Sequence, residues 1–166
     1  MNLEFGSEYD EFTSEVEAFC KEYSGATITT NDKKFEMHDA LSGNVSSSKG
    51  KSVGRSEWQK ILIEKGYFAR SIPKEYGGHG GEPDIIKSRI IAGAFAKYKV
   101  PNAMGGQGID MLVPTLLEWG TEDQKQQHIE STLLGETIWC QGYSEPNAGS
   151  DLASLQTKGE LIDGNW

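Results

Sequence analysis

The chain has 166 residues, 36% of them hydrophobic, and a formal net charge of -9. That is enough for one domain with a real core, or for one domain and a piece of a second. The acidic balance argues against a nucleic-acid partner, and no apolar run is long enough to span a bilayer.

Met1–Phe5 carries neither the basic start nor the apolar core of a secretory signal, so a cytoplasmic location is expected. Cys20 and Cys140 are far apart and have no His at ligand spacing; both read as buried thiols rather than as a disulfide or a metal site. From Ser7 to Tyr23, Phe12, Val16, Phe19, Cys20 and Tyr23 recur at helical spacing among acidic residues, which predicts an amphipathic helix ending before Gly25. Residues 42–54, rich in Ser and Gly, read as a flexible, solvated loop.

Ser56 is expected to cap a second helix that buries Trp58, Ile61 and Leu62 and stops at Gly66. The segment from Tyr67 to Gly81 contains Pro73 and paired glycines, so it reads as a packed irregular connection. His79 within it is expected at the surface, with no catalytic role. Asp84 opens a third helix with a buried stripe around Ile86, Ile90, Ala94 and Tyr98, ended by Val100-Pro101. Ile109, Leu112, Val113, Leu116 and Leu117 predict a fourth helix, central to the bundle, that Pro114 bends or helps to start. Thr121 and Gln124 have the spacing of a capping box at the head of a helix running toward Ser131.

After Gly135 the pattern changes. Thr137 to Tyr143 is β-branched and aromatic and reads as a strand, and Ser154 to Ile162 as a second strand turning at Asp163-Gly164. Between them, Ser144-Glu145-Pro146-Asn147-Ala148-Gly149-Ser150-Asp151 is a polar loop whose hydroxyls and open amides suit phosphates and flavin edges. Glu145 reads as structural and Asp151 as a cap on the following turn.

Three pieces in order carry a family resemblance: Trp58 to Gly81, with its Leu-x-x-x-Gly-Tyr and Pro-x-x-Tyr-Gly-Gly patterns; Pro114 to Lys125; and Ile138 to Thr157. Together they resemble the flavin-dependent acyl-CoA dehydrogenases over most of the chain from about Arg55 onward. The resemblance implies an α+β fold: a helical N-terminal domain over residues 1–135, then the first strands of a β-barrel-like middle domain over 136–166.

It also implies α,β-dehydrogenation of an acyl-CoA thioester in fatty-acid or related acyl breakdown, with FAD as cofactor. A carboxylate removes the proton beside the carbonyl, hydrogen bonds to the thioester oxygen stabilise the developing enolate, and the flavin takes the hydride. Carried over by position, Gln141, Tyr143 and Ser144 face the flavin ring, Gly149 and Ser150 meet its diphosphate, and Ser150 also approaches the CoA. The family's base belongs to a C-terminal domain, so no catalytic residue is expected here and the chain alone should be inactive. An electron-accepting flavoprotein and further copies of the full-length chain are the implied partners. Two other readings stand beside this one: a non-catalytic subunit of a split flavoprotein, and an acyl-CoA oxidase or flavin monooxygenase of the same fold.

Overall fold

A computed structural model of the protein describes residues 6–29 and 51–165. Among the described residues there are five α-helices and a two-stranded parallel sheet. The order is α1 (Asp10–Glu22), β1 (Thr27–Thr29), β2 (Ser52–Gly54), α2 (Arg55–Glu64), α3 (Ile85–Tyr98), α4 (Val113–Trp119) and α5 (Glu122–Leu133).

The expected amphipathic face of α1 buries Val16, Phe19 and Cys20. Burial raises the Cys20 thiol to about 11, with the Glu17 charge adding to the effect. Cys140 is exposed, a departure from the expectation that both thiols are buried. β1 and β2 pair Thr27 with Ser52, Ile28 with Val53 and Thr29 with Gly54. Of the loop expected over 42–54, residues 42–50 lie outside the described residues. The rest is not loose, because Val53 is buried and its strand is hydrogen-bonded.

β2 runs directly into α2, so Gly54 occupies the cap position and Ser56 sits inside the first turn; the expected Ser56 cap does not form. The far end follows expectation. Gly66 takes a φ of +69°, and the Tyr67 amide reaches back 2.8 Å to the Leu62 carbonyl, closing the helix with a left-handed glycine. Asp84 caps α3, its Oδ1 accepting from the Ile86 and Lys87 amides at 2.9 Å each. In the connection between, a Cβ on Gly78 would stand 2.1 Å from the Ile72 carbonyl oxygen, so only glycine fits. His79 is half-buried rather than at the surface: its Nδ1 lies 3.0 Å from the Ile63 carbonyl oxygen, which fixes the ring as part of the packing.

Helix α2 joins two cores. Neighbouring helix positions point about 100° apart, so Leu62 enters one cluster and Ile63 the other. The first cluster gathers α1, α2 and α3 around Phe19, which stacks on Trp58 at 5.9 Å and Phe95 at 6.1 Å and meets Tyr67 edge-on at 5.1 Å. The second gathers Ile63 and Tyr76 with Val113, Ile129, Leu133 and Leu134.

The fourth helical segment is less central than expected. Only Gly108 and Val113 of its residues are fully buried. It opens as a π-helical turn over Gly108–Leu112 and continues as α4, with Pro114 in the first turn. Proline offers no amide to the preceding turn, so a wide turn there loses no hydrogen bond. The Thr121/Gln124 capping box forms as read, at 2.9 Å and 3.3 Å, and α5 extends past Ser131 to Leu133.

The strands expected over Thr137–Tyr143 and Ser154–Ile162 are absent. Neither has a partner among the described residues, and β-rich composition does not make a strand without a ladder to bond to. No barrel is present in the described residues. The turn itself does form: Asp163 and Gly164 take φ of +50° and +80°, and Ile162 and Asn165 exchange backbone hydrogen bonds of 2.8 and 3.0 Å. No described helix is long and apolar enough to cross a membrane.

Candidate functional site

Three distant segments pack together where the π-helical turn meets the segment leaving α5. Gln59 on α2 is 1% exposed, and its amide has two backbone partners. Its Nε2 donates to the Leu133 carbonyl at 2.9 Å and its Oε1 accepts from the Met104 amide at 2.9 Å. One side chain therefore satisfies an orphan carbonyl at the end of α5 and pins the irregular run before the π turn. Asp110 then accepts from the Gly106 amide at 3.1 Å, which closes the glycine-rich bend.

Trp139 packs onto this bend. Its Nε1 donates to the Thr132 hydroxyl at 2.9 Å, and that hydroxyl donates to the His128 carbonyl at 2.6 Å. The His128 ring meets the indole edge-on at 5.4 Å. Gly108 makes the approach possible, since a Cβ there would stand 2.6 Å from Trp139 Cδ1 and 2.8 Å from Thr132 Cγ2. Two grooves flank Trp139. One of about 240 Å³ lies between Arg55, Met104, Gly105 and Thr137. The other, of about 260 Å³, is lined by Gln107, Met111, Thr115, Trp139, Cys140 and Gln141. Gln107 and Trp139 belong to both.

Of the residues singled out in the sequence, Gln141 lines the second groove, while Tyr143, Ser144, Gly149 and Ser150 lie exposed just beyond it. The loop brings Ser144 and Gly149 together: a Cβ on Gly149 would sit 3.3 Å from Ser144 Oγ. Ser144, Gly149 and Ser150 make no hydrogen bond among the described residues, so two hydroxyls and the Gly149 and Ser150 amides are uncommitted.

Glu145 holds this shape. Its carboxylate accepts from the Gln156 amide at 2.9 Å and from the Thr157 amide, and Ala148 is folded underneath at 3% exposure. The Thr157 side-chain and Gln156 backbone hydrogen bonds hold the Glu145 carboxyl below its ordinary value of 4.5. Asp151 stabilises the next turn through its carbonyl, which accepts from the Ser154 amide and hydroxyl; the carboxylate cap expected of it does not form. Gln59, Gly108 and Trp139 escaped the sequence reading. The one available signal was the run Gly105-Gly106-Gln107-Gly108, where closely spaced glycines mark a tight backbone approach.

A carboxyl depressed in the fold contributes stability above its unfolded value and loses that contribution as pH falls through its folded value. The loop is therefore expected to loosen below about pH 4.5, with the Gln156 and Thr157 amides exchanging faster with solvent deuterium. Glu145→Gln should produce the same loosening at neutral pH. Unchanged amide exchange in that variant would remove Glu145 as the tie.

Residues 7–136 match the family model for the acyl-CoA dehydrogenase N-terminal domain. The chain belongs to the acyl-CoA dehydrogenase family. It is 36% identical over 108 residues to the acyl-CoA dehydrogenase IpdE1 of Mycolicibacterium smegmatis, covering 65% of this chain and 27% of that protein. It is 40% identical over 111 residues to FadE34 of Mycobacterium tuberculosis, covering 65% of this chain and 15% of that protein. Among solved structures it is similar to the ChsE4–ChsE5 complex from Mycobacterium tuberculosis, with a TM-score of 0.51, 26% identity, and coverage of 95% of this chain and 35% of that one. The chain thus spans about a third or less of the length of these relatives. Among the described residues no cluster of His, Cys, Asp and Glu could hold a metal ion.

Proposed function

We propose that this chain forms the N-terminal helical domain and one wall of the flavin and thioester site of an FAD-dependent acyl-CoA dehydrogenase. The observation that carries the reading is the cluster of uncommitted donors, Ser144, Gly149 and Ser150, held beside the Trp139 grooves by Glu145. Two hydroxyls and two open amides match the chemistry of a flavin's polar edge and diphosphate, and Glu145 spends its charge on backbone amides rather than opposing the phosphates. FAD, when bound, supplies the hydride acceptor for the β carbon. Gln141 and Tyr143 flank the ring edge, Ser150 lies toward the CoA, and Trp139 with Gly108 keeps water from the wall of the site. The proton acceptor belongs to another domain.

The native gene product is expected to purify yellow, with the flavin absorption bands of bound FAD. Gly149→Val, which crowds Ser144, should weaken FAD binding about tenfold or more, measured by titrating the apoprotein. A colourless protein that takes up no FAD would overturn the reading.

A second reading, a non-catalytic subunit of a heteromeric flavoprotein, is favoured by the likeness to the ChsE4–ChsE5 complex and by the exposed Tyr143, Leu152, Leu161 and Ile162. Native mass measurement separates the two, since one chain type supports the first and two chain types the second.

A further inference from the structure

A third and larger cavity, of about 550 Å³, lies between the α2–α3 connection, α3 and the run before the π turn. It shares Met104, Gly105 and Ile109 with the groove of about 240 Å³, which shares Gln107 and Trp139 with the groove that reaches Gln141. The three spaces therefore lie side by side, from Gln141 to the α2–α3 connection. Much of the large cavity's lining is apolar, including Phe68, Ala69, Ile91, Ala92 and Phe95.

One cation borders that apolar space. Arg70 lines the large cavity and neither of the smaller grooves. Its Nε donates to the Glu82 carbonyl at 3.1 Å and its Nη1 to the Gly66 carbonyl at 3.3 Å. A guanidinium carries five N–H donors, so two bonds to neutral carbonyls leave donors and the whole charge uncompensated. Among the described residues the ion pairs lie elsewhere, at Lys51, Lys65 and Lys97. The acidic side chain on the cavity wall, Asp110, is next to Ile109 at the end shared with the small groove and is bonded to the Gly106 amide. The cavity thus sets one cation, Arg70, into a largely apolar lining.

Resting on the acyl-CoA dehydrogenase reading above, we propose that Arg70 is a specificity residue that receives a carboxylate at the distal end of the acyl group. The preferred substrates are then long or bulky acyl-CoA thioesters with an acidic terminus, rather than plain hydrocarbon acyl chains. A planar guanidinium with free donors pairs with a carboxylate through two parallel hydrogen bonds, and the low-polarity walls strengthen the attraction.

Two measurements test this on the native holoenzyme. The ω-carboxy derivative of dodecanoyl-CoA is expected to exceed dodecanoyl-CoA by about tenfold in kcat/KM, the scale of one charge-assisted hydrogen-bonded pair. Arg70→Met should erase that preference and Arg70→Lys should retain part of it. In equilibrium binding, followed by calorimetry, dodecanoate should bind about tenfold more tightly than methyl dodecanoate, and Arg70→Met should equalise the two. A preference that survives Arg70→Met, or equal binding of acid and ester by the unmodified protein, overturns the proposal. Should Arg70→Met fail to fold, Ala92→Phe fills the cavity from an exposed position; undiminished dodecanoate binding in that variant overturns it equally. Arg70-dependent dodecanoate binding in a protein that dehydrogenates no acyl-CoA would sustain the cavity and overturn the assigned activity instead.

Discussion

Replacing Gln59 by leucine is expected to destabilise the protein by about 2–4 kcal/mol. Leucine fills nearly the same space, so the loss is not a cavity. The variant strips the Leu133 carbonyl and the Met104 amide of their partners at once, and both depend on a side chain that is 1% exposed. A buried backbone group without a partner forfeits its full hydration, whereas a bond exchanged with water loses little. Urea unfolding would read the change as a lower midpoint at constant slope. Gln59→Glu should cost at least as much: one carboxylate oxygen can still accept from Met104, but the other faces the Leu133 carbonyl with no proton to donate, and an unpaired charge is buried. A leucine variant within half a kcal/mol of the parent would show that Gln59 does not tie α2 to the site.

The second large effect is expected at Gly108. Alanine there places a methyl group 2.6 Å from Trp139 Cδ1 and 2.8 Å from Thr132 Cγ2, inside any permissible contact. The indole must swing out, breaking its bond to the Thr132 hydroxyl. Overpacking of this kind costs about 1–3 kcal/mol, and the displaced ring alters the wall of both grooves. The prediction is checked by a double-mutant cycle: Gly108→Ala should cost much less in a Trp139→Ala background, because the colliding group is absent. Equal costs in the two backgrounds would mean that the contact is not what requires glycine.

Both residues show what a sequence can conceal. The helices were legible because their signals are local: the spacing of Val16, Phe19 and Cys20, the Asp84 cap and the Thr121/Gln124 box each specify a geometry within four residues. Gln59 has no such signature. A polar residue inside a helix reads as solvent-facing, and only its partners 74 and 45 residues away make it a buried connector. Ser56 failed for a related reason, because β2 leads straight into α2 and moves the cap to Gly54. The strands anticipated after Gly135 failed because β composition states a preference that a neighbouring strand must satisfy. The loop of Ser144 to Ser150 was legible as a polar turn, and its Gly149–Ser144 approach lies within it, whereas the Glu145 tie reaches the Gln156 and Thr157 amides beyond it. The grooves beside it were not, since they arise where three distant segments meet.

The setting of the tryptophans has a practical consequence. Trp58 is 1% exposed among the stacked rings of the first core, Trp139 is half-buried against Thr132, and Trp119 at the end of α4 is 78% exposed. Among the described residues, and apart from the fourth tryptophan Trp166, fluorescence therefore has three sources: an interior emitter that reddens on global unfolding, a groove emitter placed to respond to bound molecules, and a surface emitter open to soluble quenchers such as iodide. Single-tryptophan versions would let occupancy of the grooves be followed in real time, without a label and independently of whether the fold itself is opening.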